Sequence, residues 1–353
     1  MVEDYQLYLL LRLFRQENPV KTTQIATIIG GKRTGSTLYQ ALANNLYPYF
    51  NTFPRLSRSD FDKLIRYFIA KGWLLDNGNH YAELSESGQD ILDQYFKDHY
   101  LPQYLNNMRY GNVWRIFFQR LILIVQVLSQ YGHNTSAYQP IIQNIETQYF
   151  IKRWIDEMNL NNQLIDRFAN ELEDVFSKLD EEQAQILAEN FSGYRQIGKT
   201  SRDIRQERNL QKGEYHFYLM DAVQHLLTII VKSNSQTPLL FDIWQRTDYE
   251  TYNGLSRSTA ESYYLLKQGQ SFDQVAHYKR VKPNTILDQL IEMAVTLPEF
   301  PIDNFVSEKE KLEISTYLDT ADNLRFKAFT DKYPDIPFYK YRLVQIQEIR
   351  VKS

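Results

Sequence analysis

The sequence predicts a mainly α protein with an N-terminal winged helix carrying a β-hairpin wing, a central helical bundle and a C-terminal helix-turn-helix module. Three observations carry this. Apolar residues recur at helical spacing through most of the 353 residues. The strongest hairpin signal, Asn77-Gly78, follows three successive helix patterns. Finally, hydroxyl-led stretches at Thr22, Thr200 and Ser271 repeat the pattern of the first helix of a helix-turn-helix pair.

The chain exceeds the size at which one hydrophobic core stops growing, so several compact segments are expected. With 43% apolar and 24% charged residues it has the composition of folded, water-exposed domains. A formal charge of −3 gives no global attraction to nucleic acid, so any such surface must be a local patch. No Cys is present, which removes disulfides, thiolate metal sites and cysteine nucleophiles and fits a reducing, cytoplasmic setting. The 26 Tyr and 20 Phe suit both cores and interfaces.

Residues 1–98 read as the winged helix. "MVEDYQLYLLLRLFRQENP" is too charged for a signal peptide and predicts an amphipathic helix ending before Pro19. "KTTQIATII", the basic turn "GGKRTGS" and "TLYQALANNLYPYF" give two helices around Lys32 and Arg33, and "SRSDFDKLIRYFIAKG" gives a third. Asn77 and Gly78 are then expected at the centre of a type I′ turn, where both residues need positive φ.

Residues 99–178 predict a connecting bundle, with Trp114, Phe117, Phe118, Leu121, Tyr149, Phe150, Trp154 and Phe168 as its core. "VWRIFFQRLILIVQVL" carries Arg115, Gln119, Arg120 and Gln126 and is a core helix, not a membrane span. The acidic "ELED" at Glu171 is expected on an exposed helix face.

Residues 179–250 hold "GYRQIGKT", which fits the phosphate-binding pattern G-x-x-x-x-G-K-[ST] at every fixed position. A phosphate loop needs a buried strand before it, whereas "DEEQAQILAENFS" has helical spacing, with Asp180 and Gln183 resembling a capping box. Gly193 is expected as a left-handed helix cap and Thr200, with Asp203, as the cap of the next helix. Asp242 is the best available partner for Mg²⁺. A P-loop nucleotidase therefore stands as the weaker alternative. Arg195, Lys199, Arg202, Arg205, Arg208 and Lys212 form the densest basic segment, partly neutralised by Asp203, Glu207 and Glu214.

Residues 251–353 hold the clearest copy of the repeated pattern. "SRSTAESYYLLKQGQ" supplies a support helix ending at Gly269, "SFDQVAHYKRV" a short helix and turn, and "KPNTILDQLIEMAV" the next helix with Pro283 in its first turn. Ile286, Leu287, Leu290 and Met293 mark the buried side of that helix. In recognition-helix geometry Lys282, Asn284, Thr285 and Gln289 reach base edges or phosphates, with Lys279 and Arg280 placed for the backbone. The candidate DNA-binding residues are thus Lys32, Arg33, Lys199, Arg202, Lys279, Arg280, Lys282, Asn284 and Thr285.

"GLSRSTAESYYLLKQGQSFDQVAHYKRVKPNTILDQLIEMA", with "FPIDNFVSEKEKLEI" and the tail "PFYKYRLVQIQEIR", resembles the helix-turn-helix module at the C-terminus of some RecQ-type helicases. Together with "LDEEQAQILAENFSGYRQIGKTSRDI" and the length, the chain resembles the YpbB-like family of Gram-positive bacteria. The resemblance implies a non-catalytic protein that binds DNA, duplex or forked, or assists a RecQ-type helicase in DNA repair. Arg205 stands where the family pattern has a small residue, a departure in the middle copy.

The six His, at 80, 99, 133, 216, 225 and 277, show no metal-ligand spacing, and His216 and His225 read as core histidines. No set of residues forms a catalytic pattern, so no enzyme, cofactor or metal is expected. The second functional reading is a protein adaptor that touches the helicase and not the nucleic acid.

Overall fold

A computed structural model describes residues 3–321 and 323–352; Met1, Val2, Asp322 and Ser353 lie outside the described residues. The protein is mainly α. Its first helices are α1 (Asp4–Leu11), α2 (Thr22–Ile29), α3 (Gly35–Ala43), α4 (Arg58–Ala70) and α5 (Glu86–Tyr95). Strands β1 (Val20–Lys21), β2 (Leu74–Asp76) and β3 (Tyr81–Leu84) form a small sheet in the order β1-β3-β2. The middle of the chain gives α6 (Asn107–Tyr110), α7 (Trp114–Gly132), α8 (Ile145–Met158), α9 (Asn162–Phe176) and α10 (Glu181–Ala188). Then come α11 (Ser201–Glu207), α12 (Lys212–Lys232) and α13 (Pro238–Glu250). The last six are α14 (Arg257–Lys267), α15 (Phe272–Lys279), α16 (Pro283–Thr296), α17 (Glu308–Thr320), α18 (Phe326–Lys332) and α19 (Phe338–Lys352). No helix among the described residues is long and apolar enough to cross a membrane.

The elements gather into two compact units that interleave along the chain. The first comprises Met1–Val20, Lys63–Asn106 and Tyr110–Thr251; the second comprises Lys21–Asp62, Asn107–Arg109 and Tyr252–Ser353. The segment 1–98 therefore contributes residues to both.

In the first unit α12 is the central helix. It is buried on nearly every side, with Phe217, Val223, Leu226, Leu227 and Ile230 in the core, because α1, α7, α9, α10 and α13 pack round it. The wing hairpin is present, with Leu74, Leu75 and Asp76 paired to Leu84, Glu83 and Ala82. Its turn differs from expectation: the left-handed residues are Gly78, Asn79 and His80, not Asn77, because the loop spans four residues and closes through Tyr81 N to Gly78 O. Helix α1 stops at Leu11, eight residues before Pro19, and a bridge between Arg15 and Asn18 makes the turn.

Two side chains in this unit overturn the sequence reading. Tyr149, expected in the core, is 63% exposed on α8, while its neighbour Phe150 is buried. Glu171, expected on an open face, is buried and accepts the N–H groups of Leu239 (2.9 Å) and Leu240 (3.1 Å) at the start of α13. A carboxylate there satisfies helix donors that have no intrahelical acceptor. Desolvation nevertheless leaves its pKa raised.

In the second unit α16 is central, packed by α3, α14, α15 and α19. From Gln289 to Thr296 every residue of α16 is buried. Helix α3 is held between α16 and α19: Ile291 side-chain carbons stand 3.4 Å from where a Cβ on Gly35 would be, and the Arg342 guanidinium lies 3.5 Å over the Tyr39 ring. Tyr317, Phe329 and Tyr341 form the aromatic core beneath α17, α18 and α19.

Candidate nucleic-acid interface

Within the second unit, α14, α15 and α16 form a helix-turn-helix whose junctions are set by local chemistry. The Ser256 hydroxyl accepts Thr259 N at the start of α14, and Gly269, at φ +85°, releases the chain after it. Ser271 and Gln274 make a reciprocal capping box at the start of α15. Val275 and Ala276 of α15 then meet Ile286 of α16, with Leu265, Leu266, Phe272 and Val281 around them.

Between α15 and α16 the chain turns through Arg280 in the left-handed conformation, φ +54°. Lys282 follows at the N-cap position and Pro283 begins the helix, where its missing N–H costs nothing. As a result Arg280, Lys282, Asn284 and Thr285 are all exposed around the beginning of α16. Cations beside the positive end of a helix dipole make a surface suited to phosphate. On α15, two residues before Arg280, Tyr278 is 64% exposed, an aromatic side chain that the sequence did not single out.

Other predicted members of this site are turned inward. Lys279 is not free for a phosphate: its ammonium donates to Ser258 O, to Ser258 Oγ (3.0 Å) and to Ser262 Oγ (2.7 Å), and its side chain is 4% exposed. Burial lowers its pKa, with Glu261 at 3.7 Å acting against that shift. Gln289 is buried on Ser262 and Ser258. Arg33 is likewise withdrawn, donating to Glu292 Oε1 at 2.7 Å and Gly254 O at 2.9 Å, with its guanidinium 5.2 Å from the Phe50 ring. Lys32 remains exposed on the turn between α2 and α3.

In the first unit, the stretch that fits the phosphate-loop pattern is a turn between helices. Helix α10 precedes it, a bridge joins Gly193 to Gln196, and the left-handed residue is Arg195, not Gly193. Thr200 and Asp203 form the capping box of α11. Lys199 is ion-paired with Glu207 and with Glu189 at 3.4 Å, so it is not poised for a phosphate. Asp242 accepts the Trp154 indole N–H at 2.9 Å and pairs with Arg246 at 2.8 Å, which occupies it without a metal. Arg208 is forked onto Glu189, while Arg202 is exposed. Asp180 makes no cap bond to α10, and Gln183 instead bonds His225 Nδ1 at 2.6 Å and Tyr100 Oη at 3.0 Å.

Among the described residues no group of three or more His, Asp or Glu could hold a metal ion. Burial lowers the pKa of both His216 and His225.

Residues 258–345 match the family described as a helix-turn-helix domain, a range that contains α15 and α16 whole. The chain is similar to Protein YpbB of Bacillus subtilis (strain 168), 24% identical over 326 residues that cover 91% of this chain and 90% of that protein. No solved structure gives a significant match. The two matches support the YpbB-like helix-turn-helix family that the residues resemble.

Proposed function

We propose that this chain is a non-enzymatic DNA-binding protein that contacts duplex or forked DNA through the turn and first turn of α16 and serves as an accessory to a RecQ-type helicase. One observation carries the reading: within a matched helix-turn-helix domain, Arg280, Lys282, Asn284 and Thr285 are together exposed at the helix start. Because α16 is buried from Gln289 onward, contact is end-on, through its N-terminal turn and the loop before it, not along the helix. The helicase link rests on the likeness of residues 254–294 and the tail to the C-terminal module of RecQ-type helicases. A gel shift of the full chain with duplex and forked DNA at moderate salt tests the binding; unshifted substrates would refute it.

A second reading, a protein adaptor without DNA contact, draws on a different observation. Three of the nine candidate residues, Arg33, Lys199 and Lys279, hold internal partners, which leaves a small cationic patch. Retention of a RecQ-type helicase on the immobilised chain, with no DNA shift, is the result that selects it.

A further inference from the structure

Outside the helix-turn-helix, the first unit holds a cavity of about 710 Å³ between the segment after α5 and the start of α10. That volume is in the range that holds a ligand or a few side chains. Its inner wall is built from stacked rings and buried hydrogen bonds. Tyr100 stacks on Tyr218 at 3.7 Å and Tyr104 on His225 at 3.5 Å, both pairs nearly parallel. Fully buried Asp221 accepts the Tyr100 hydroxyl at 2.6 Å and the N–H groups of Gln103 (3.1 Å) and Tyr104 (2.7 Å), fixing this segment. Gln183 and Glu214, also buried lining residues, are hydrogen-bonded within the same wall.

The charge of the lining selects the occupant. Asp98, Asp180, Glu181 and Glu182 are exposed at the mouth, and among the described residues none forms an ion pair. Of the lining cations, Arg208 is bidentate on Glu189, leaving Lys97. A polyanion is repelled here, so the cavity is separate in chemistry from the DNA surface. A planar cation fits both parts of the wall, stacking on tyrosine faces while its N–H groups fork onto carboxylates.

We propose that this cavity is a receptor for arginine side chains of a basic peptide segment on a protein partner. Fluorescence anisotropy of a labelled Gly-Ser-Arg-Arg-Ser-Gly peptide against the full chain tests it. Saturable binding is expected, weakened by about tenfold or more in Glu181→Gln/Glu182→Gln and in Tyr104→Leu. The exposed pair Glu299→Gln/Glu308→Gln, in the second unit, should bind like the parent. Equal loss in that control pair, or no saturable binding, would overturn the site. Displacement by spermidine as effective as by unlabelled peptide would overturn the peptide as occupant in favour of a free polyamine.

Discussion

Arg33 and Glu292, 259 positions apart in sequence, are joined by a 2.7 Å ion pair inside the second unit. Glu292 is 5% exposed and also accepts Ser256 N at 2.7 Å and Thr259 Oγ1 at 2.6 Å, so one carboxylate ties the turn before α3 to the start of α14. Removing the guanidinium strands a buried charge. Arg33→Ala is expected to cost about 2–3 kcal/mol, somewhat less than breaking a fully buried pair, because the arginine retains some contact with water. Urea unfolding measures this. The salt dependence of DNA binding should not change, since Arg33 does not face a ligand.

Arg280 makes the opposite case. A non-glycine residue at φ +54° is held there at a cost of order 1 kcal/mol. Arg280→Gly should therefore raise the thermal midpoint by about 2–4 °C while weakening DNA binding. An unchanged affinity would show that Arg280 serves the fold alone.

The turn at 193–200 is expected to behave as a helix junction. Thr200→Ala should destabilise the protein by about 1 kcal/mol through loss of the α11 capping box. Calorimetric titration with ATP and Mg²⁺ should give no saturable heat in the parent. Saturable binding abolished by Lys199→Ala would restore the phosphate-loop reading.

The pH dependence of stability follows from His216 and His225, whose folded pKa values are lowered by burial. The unfolded chain takes up protons near the ordinary histidine value of about 6.5 that the folded chain does not. Their contribution is therefore full above about pH 6.5 and is lost as pH falls through the lower folded values. Unfolding midpoints measured across that interval should fall with pH, and His216→Gln should flatten the trend. A midpoint that rises on acidification through this interval would contradict it.

Features governed by a few adjacent residues were legible in the sequence. The cap Thr200–Asp203, the hydroxyl at Ser271 that starts α15, the glycine after α14 and Pro283 at the head of α16 each depend on one residue and its own backbone, so spacing reveals them. Partners brought by tertiary packing were not. Nothing near Arg33 in sequence announces Glu292, and nothing near Lys279 announces Ser258 and Ser262 on α14. A run of basic residues thus separated, on folding, into exposed Arg280 and Lys282 and an inward Lys279. Asp180 and Gln183 show the same limit, because the network around Asp221 and His225 draws Gln183 away from the cap that its spacing suggests.

The most direct test is the affinity of the full chain for forked and duplex DNA over a range of salt, comparing the parent with Arg280→Ala/Lys282→Ala. Loss of two phosphate contacts should weaken binding and flatten the slope of log affinity against log salt by about 1.8. Affinity and slope both unchanged would contradict the placement of the DNA surface at the start of α16.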